Sequence, residues 1–176
     1  MSAAESQADR DLLVDRPDTS IAVVKINRPK RRNAMKLAMW QEMGRIFDEL
    51  SREPELRAII LTGAGGAFCA GADISEFSEV RATVEDGRAY EAAGDLCQTA
   101  ISSCSKATIA AISGPCFGGG VGLALSCDFR FADPTAYFGI PAARLSNVYG
   151  VVETRALYDA VGLAVAKEVL FTGRRY

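Results

Sequence analysis

The sequence contains no histidine among its 176 residues. Histidine is the base of Ser-His-Asp and Cys-His catalysis and the commonest zinc ligand, so its absence excludes the first two chemistries and disfavours a zinc site. The five cysteines include no C-x-x-C pair, and their odd number indicates reduced thiols rather than a disulfide framework. We therefore expect no bound metal and an intracellular setting.

Long apolar runs and an excess of basic residues are also absent. No run approaches the ~18 residues that a membrane span needs, and the polar, acidic N-terminus has the features of neither a signal nor a transit peptide. The net charge of -2 argues against a nucleic-acid partner, which would require a basic face. We expect a cytoplasmic protein with neither a membrane nor a nucleic-acid partner.

The residues that are present indicate one domain with an apolar core. The chain is 49% hydrophobic, and nothing in it marks a linker. We predict a flexible tail at residues 1–10 and one domain over 11–176. Apolar spacing predicts strands alternating with helices, which indicates an α/β fold built from β-β-α units. The predicted strands are 12–14, 21–26, 57–62, 108–113 and 128–132, and the predicted helices are 36–53, 85–104, 121–127 and 151–171, the last interrupted near Gly162.

Two glycine-rich loops, 63–73 and 114–120, each follow a predicted strand. Neither contains the G-x-x-x-x-G-K-[ST] or G-x-G-x-x-G pattern of nucleotide sites. One interpretation is that the glycines only permit turns and close packing. The alternative is that backbone N–H groups from both loops form an oxyanion hole, which needs no titratable side chain.

Several segments resemble the crotonase, or enoyl-CoA hydratase/isomerase, superfamily, in the right order over about residues 20–176. They are Asn27-Arg-Pro-Lys-Arg-Arg-Asn-Ala34, Ile59-Ile-Leu-Thr-Gly63, Ala67-Phe-Cys-Ala-Gly-Ala-Asp-Ile74 and Gly118-Gly-Gly-Val-Gly-Leu-Ala-Leu-Ser-Cys-Asp128. The resemblance implies a spiral of β-β-α turns and an acyl-CoA thioester ligand, with coenzyme A as part of the substrate and no other cofactor. It also implies a homotrimer or hexamer.

Carried over by motif, the resemblance implies specific site residues. The catalytic amides would be those of Ala70 and Gly119. The substrate-binding residues would be Lys30, Arg31, Arg32, Ala70, Gly71, Ala72, Asp73, Ile74, Gly118 and Gly119. For the three cations the alternative is a solvated basic turn, and for Asp73 it is a helix cap.

The sequence departs from the family's hydratase pattern at two positions. Gly122 and Ala142 stand where the resemblance implies the two glutamates that activate water. We therefore expect weak hydratase activity, and we expect that glutamates placed at both positions would raise it. The protein would still be a lyase or isomerase acting on acyl-CoA thioesters.

Other polar residues leave alternatives open. Tyr149 occupies a place that resembles methylmalonyl-CoA decarboxylases, so it is either a catalytic residue for a malonyl-type CoA or a half-buried structural tyrosine. We favour helix capping over catalysis for Glu153, and we expect the thiol of Cys69 to stay protonated. A non-catalytic acyl-CoA binder is the third alternative.

The C-terminal part of the resemblance is also incomplete. The chain stops at Tyr176, before the helices that the resemblance places over the acyl pocket. We expect that this helical layer is missing and that an acid could lie beyond Tyr176. Apolar residues on the last helix predict an interface, namely Val161, Val165, Val169, Leu170 and Phe171.

Overall fold

The computed structural model describes residues 10–176, so the predicted tail lies outside the described residues apart from Arg10. Within that range the strands form one sheet of five and one of two. The strands are β1 (Leu12–Asp18), β2 (Ile21–Ile26), β3 (Ala58–Gly63), β4 (Ala107–Ile112), β5 (Pro115–Phe117), β6 (Phe129–Ala132) and β7 (Tyr137–Gly139).

The main sheet has the order β1-β2-β3-β4-β6. Strands β1 and β2 form an antiparallel hairpin, in which β1 runs to Asp18 and does not end at the predicted residue 14, whereas β2, β3, β4 and β6 are parallel neighbours. The small sheet pairs β5 with β7 in parallel. Because β3 and β4 are parallel and adjacent, the loops that leave their carboxyl ends emerge at the same edge of the sheet.

The four longer helices follow the predicted pattern, whereas the one-turn helix at 77–80 was not predicted. The described residues contain α1 (Leu37–Ser51), α2 (Phe77–Val80), α3 (Val84–Ser102), α4 (Gly119–Ser126) and α5 (Val151–Thr172). The predicted α/β fold of β-β-α units is confirmed. None of these helices is both long and apolar enough to cross a membrane.

Helical spacing of apolar residues explains why α1 packs where it does. Its buried side chains recur every three or four positions and cover the core beside α3, and they are Met39, Trp40, Met43, Phe47 and Leu50. In α3, Leu96 is 70% exposed, whereas Cys97 and Ile101 are buried.

Two helix features matter for the site. Helix α4 begins at Gly119, two residues earlier than predicted, so Gly119 provides an N–H group at the helix start. Helix α5 has the predicted interruption at Gly162, where the backbone takes a φ of 75° and a ψ of 167°. Only glycine adopts this conformation easily.

Candidate active site

The two glycine-rich loops are in direct contact at the sheet edge. The N–H of Cys69 donates to the carbonyl of Pro115 at 3.1 Å, and the N–H of Phe117 donates to the carbonyl of Cys69 at 2.9 Å. A side-chain carbon at Gly120 would lie 2.3 Å from the Cys69 oxygen, so the contact requires glycine there. The structure therefore joins the two loops into one site.

The structure changes one of the two predicted amide donors. The N–H of Ala70 donates to the carbonyl of Arg32 at 3.0 Å, so it is not free to hold a thioester oxygen. Two residues further on, the N–H of Ala72 has no acceptor within residues 10–176. The N–H of Gly119 has none in this range either, because the first N–H groups of a helix have no intrahelical partner.

Gly71 brings the two free amides close together. Its φ is +91°, and a side-chain carbon there would lie 2.8 Å from the carbonyl oxygen of Phe117 and 3.3 Å from the nitrogen of Gly119. Any larger residue would separate the Ala72 segment from the start of α4. The small residues of this motif are required by close approach as well as by the turn.

A cavity of about 570 Å³ opens beside these amides. Its wall brings together most of the predicted site residues, which are Ala70, Gly71, Ala72, Ile74, Gly118, Gly119 and Tyr149. Further wall residues come from α3 and from the start of α5, and Trp40 of α1 contributes as well. The volume lies in the range of small-molecule and cofactor sites.

The three predicted cations lie outside this wall. Lys30 and Arg31 end a 3-10 turn, Pro29–Arg31, and with Arg32 they are exposed and form no salt bridge within the described part of the chain. Buried Asn33 fixes the turn to the first glycine loop, because its Nδ2 donates to the carbonyls of Ala64 and Ala67. The structure thus holds these charges near the loop but does not show what they bind.

Asp73 has a structural role. Its carboxylate accepts hydrogen bonds from the N–H and hydroxyl of Ser75, and it pairs with Arg28 at 2.9 Å. The Ser75 hydroxyl and Arg28 hold the pKa of Asp73 below its ordinary value despite burial. Asp73 caps the turn after the loop and is not part of the cavity wall, as the capping alternative predicted.

The Tyr149 hydroxyl is already hydrogen-bonded. It donates to the carbonyl of Gly118 at 3.0 Å, immediately before the free amide of Gly119. Burial raises the pKa of Tyr149 well above its ordinary value, and the nearby Glu153 adds to that effect. Because the phenolic proton is engaged, the contact favours the structural alternative, in which Tyr149 holds the start of α4.

Sequence reasoning underestimated Glu153, which lies on the cavity wall. Its Oε2 accepts from the N–H of Gly150, as expected for a cap, while its Oε1 accepts from Nε2 of Gln98 at 3.0 Å. Burial raises the pKa of Glu153 to about 7, although the hydrogen bonds from Gln98 and Gly150 act in the opposite direction. Glu153 therefore caps α5 and also presents a carboxyl group that titrates near neutral pH.

Gly122 leaves the space that Glu153 occupies. A side-chain carbon at Gly122 would lie 2.7 Å from Oε1 of Glu153 and 3.1 Å from Nε2 of Gln98. A glutamate at position 122 therefore requires the ends of the Glu153 and Gln98 side chains to move aside, and the expectation that glutamates at positions 122 and 142 would raise hydration stays a prediction. Ala142 does face the cavity, and it carries no ionisable group.

The Cys69 thiol at the loop junction is not activated. Burial raises the pKa of the Cys69 thiol to about 12, which confirms the prediction that it stays protonated. Across residues 10–176, no group of three or more acidic or cysteine side chains is arranged to hold a metal ion.

Comparison with known proteins identifies similar chains. The enoyl-CoA hydratase/isomerase family model matches residues 16–176. A short-chain-enoyl-CoA hydratase of Clostridium acetobutylicum is 41% identical over 155 residues, which are 88% of this chain and 59% of that protein. A peroxisomal Δ(3,5)-Δ(2,4)-dienoyl-CoA isomerase of Arabidopsis thaliana is 32% identical over 98% of this chain and 66% of its own length.

Solved structures show the same likeness. An enoyl-CoA hydratase/isomerase family protein from Hyphomonas neptunium superposes with a TM-score of 0.93 at 37% identity. The match covers 97% of this chain and 65% of that one. It confirms the predicted crotonase-like fold, and this chain spans about two thirds of the length of its structural neighbour.

Proposed function

The chain belongs to the enoyl-CoA hydratase/isomerase family, and from this premise we propose that it binds an acyl-CoA thioester and stabilises the enolate formed from it. The thioester oxygen would lie between the N–H groups of Ala72 and Gly119. This assignment replaces Ala70 with Ala72 and keeps Gly119.

The observation that carries the proposal is the pair of free N–H groups on the cavity wall. Both residues are partly buried at the junction of two loops, where a hydrogen bond to a developing oxyanion is stronger than in water. The start of α4 adds the positive end of the helix dipole beside Gly119. The site therefore polarises a carbonyl group without any titratable side chain.

The exposed cations at positions 30–32 suit the phosphates of coenzyme A. They carry three positive charges on one short turn, and Asn33 ties that turn to the loop that contains Ala72. We propose this turn as the coenzyme A contact. Since these side chains are solvated, their contribution to affinity should fall as salt concentration rises.

The lack of a carboxylate at positions 122 and 142 determines which reactions the cavity can catalyse. Hydration needs one group to deprotonate water and one to protonate carbon, and neither Gly122 nor Ala142 can do either. We propose that the chain processes acyl-CoA thioesters by lyase- or isomerase-type chemistry with weak hydration. Decarboxylation of a malonyl-type CoA remains a weaker alternative, because the Tyr149 proton is already donated to Gly118.

A matched pair of substitutions at Gly119 tests the oxyanion donor. Gly119→Ala keeps the N–H and adds a carbon about 3.0 Å from the Trp40 ring, whereas Gly119→Pro adds that carbon and removes the N–H. Proline is tolerated at the first position of a helix. We expect the proline variant to lose on the order of 100- to 1000-fold more thioester turnover than the alanine variant.

The readout is turnover of crotonyl-CoA and deuterium exchange at the carbon next to the thioester, with coenzyme A binding measured by calorimetry. Equal activity in the two variants would show that the Gly119 amide does not hold the oxygen. A wild-type protein that binds coenzyme A and turns nothing over would favour the alternative of a non-catalytic binder.

We also propose that the chain assembles with copies of itself, as a homotrimer or hexamer. Of the predicted apolar face on α5, Val161, Val165 and Phe171 are exposed, the last at 74%, whereas Val169 and Leu170 pack against the core. Leu163, which the sequence analysis did not include, is 55% exposed on the same helix. Apolar surface of this kind is stabilised when a second copy covers it.

A further inference from the structure

We propose that Glu153 is the acid–base residue of this cavity, which moves a proton between two carbons of a bound unsaturated acyl chain. The inference rests on the proposed function, because it needs a thioester oxygen held by Ala72 and Gly119. It adds the group that moves the proton and the class of substrate that this group suits.

The first observation is the position of the carboxyl group. Oε1 of Glu153 lies 3.8 Å from the point where a side-chain carbon of Gly119 would be, so the carboxyl group lies close to the first residue of α4. Glu153 and Gly119 both line the cavity. The carbon next to a thioester held there would lie within reach of the carboxyl group.

The second observation is that α4 and α5 complement each other. Helix α4 carries no titratable residue, and Gly122 on its inner side leaves the volume that the Glu153 carboxyl group fills. The carboxylate on this side of the cavity comes from α5 and not from α4. A glycine at position 122 is explained by this packing, because an added carbon would overlap Oε1.

The third observation is the partner of Glu153. Gln98 is only 3% exposed, and its Nε2 donates to Oε1 of Glu153, while its own Oε1 is buried without a partner among the described residues. An unpaired buried acceptor is costly. If Glu153 gains a proton, rotation of the Gln98 amide offers that acceptor to the new O–H donor. Gln98 can thus serve both protonation states as a positioning residue.

The proton transfer balances without a co-reactant. The Glu153 carboxylate takes a proton from the carbon next to the thioester, and the C–H electron pair moves into the carbonyl to give an enolate whose oxygen is held by the two amides. The protonated Glu153 then returns the proton to the γ-carbon, and the double bond moves from the β,γ to the α,β position. No water is consumed, so one carboxyl group is sufficient. This transfer requires a β,γ-unsaturated acyl-CoA, which is therefore the substrate class that Glu153 suits in this proposal.

The raised pKa of Glu153 is consistent with this role, because a base and an acid of pKa about 7 are both available near neutral pH. Burial is the main cause. Glu91 and Asp95 of α3 raise the pKa further, while Gln98 and the Gly150 N–H lower it. The other titratable side chains on the cavity wall include Arg81 and Tyr149. Helix α1 contributes only Trp40 to this wall, and Trp40 has no titratable group.

The test uses the whole chain with β,γ-unsaturated hexenoyl-CoA in deuterated water. The conjugated product is followed by absorbance and deuterium incorporation by mass spectrometry, and coenzyme A affinity by calorimetry. We expect Glu153→Gln to lower both rates by roughly 100- to 10,000-fold while coenzyme A binding is retained. Asp159→Asn is the matched control, because Asp159 is an exposed carboxylate on the same helix.

The Gln98→Leu variant tests whether Gln98 acts through its hydrogen bond to Glu153 or only by filling space. Loss of the Gln98 hydrogen bond should raise the pKa of Glu153, so the acid limb of the pH–rate profile should move to higher pH. A purely structural role would lower the rate without moving the limb, and it would overturn the assignment of Gln98.

The outcomes separate the two proposals. Wild-type rates in Glu153→Gln, or coenzyme A binding by the wild type with neither exchange nor isomerisation, would overturn the role of Glu153 and leave thioester binding in place. A wild type that binds no coenzyme A would overturn the proposed function and, with it, this inference.

Discussion

At the scale of single residues, the Glu153 carboxyl group links the chemistry of the cavity to the stability of the fold. Its pKa is about 7 in the folded chain against an ordinary value of 4.5. Between these values the folded state retains a proton that the unfolded state has lost, so the free energy of unfolding falls as pH rises. Above pH 7 the folded chain carries the whole penalty of a buried carboxylate.

We therefore expect Glu153→Gln to stabilise the protein at pH 8 and to have little effect at pH 4. An amide of the same shape never becomes charged. Its oxygen can accept from the Gly150 N–H, and its NH2 group can donate to the otherwise unpaired Oε1 of Gln98 once the Gln98 amide turns over. The gain above pH 7 should be up to about 3 kcal/mol.

Thermal and urea unfolding at both pH values measure this difference. Asp159→Asn serves as the control and should show no comparable pH dependence, because its carboxylate is exposed. An equal free energy of unfolding for Glu153→Gln and wild type at pH 8 would show that burial does not penalise the Glu153 carboxylate.

At the scale of elements, the packing of α4 against α5 determines which helix can supply a carboxylate. We expect Gly122→Glu to leave the weak hydration of crotonyl-CoA no higher than in wild type and to destabilise the chain by roughly 1–3 kcal/mol, as overpacking does. The physical reason is the 2.7 Å approach of an added carbon to Oε1 of Glu153.

A double variant tests the cause of that loss. Gly122→Glu combined with Glu153→Ala removes the overlap, so part of the stability lost in Gly122→Glu should return, which gives a coupling free energy between the two sites. Additive losses, or a Gly122→Glu variant with enhanced hydration, would mean that Glu153 moves aside readily and does not hold this position.

Apolar periodicity and glycine placement were enough to predict the longer elements, but not the short β5, β7 and α2. The β1–β2 hairpin, helix α1 and the interruption at Gly162 lie where the sequence placed them. These features depend on neighbouring residues, and local spacing reports them directly.

The predictions that failed depend on distant contacts. Ala70 and Ala72 both follow the motif, and only the Arg32 carbonyl, which folds back from the preceding turn, engages one amide and leaves the other free. Glu153 lies on α5, 31 residues after Gly122, and its second role follows from the approach of α5 to α4 and to Gln98. Neither contact can be predicted from the spacing of residues within a single helix, strand or loop.

At the scale of the whole molecule, α5 has one side that is buried against the fold and one side that is exposed. Leu157 and Ala166 are buried against the rest of the fold, whereas Val161, Leu163 and Val165 are exposed together near the Gly162 interruption. Strand β6 at the edge of the main sheet exposes Phe129 and Phe131 as well. Apolar surface on both elements is consistent with self-association of the chain.

We expect the purified chain to sediment as an oligomer and Leu163→Glu to shift it towards the monomer. A charge on this helix face would have to be buried without a partner when a second copy covers it, which costs several kcal/mol per interface. The mass is measured by light scattering coupled to size-exclusion chromatography over a range of protein concentrations. Lys167→Glu is the matched control, because it changes charge at an already exposed polar position of the same helix. A different outcome is that Leu163→Glu leaves an oligomer intact and Lys167→Glu dissociates it. The contact between copies would then be electrostatic and would lie elsewhere on α5. A wild type that remains monomeric at every concentration would contradict self-association through this face altogether.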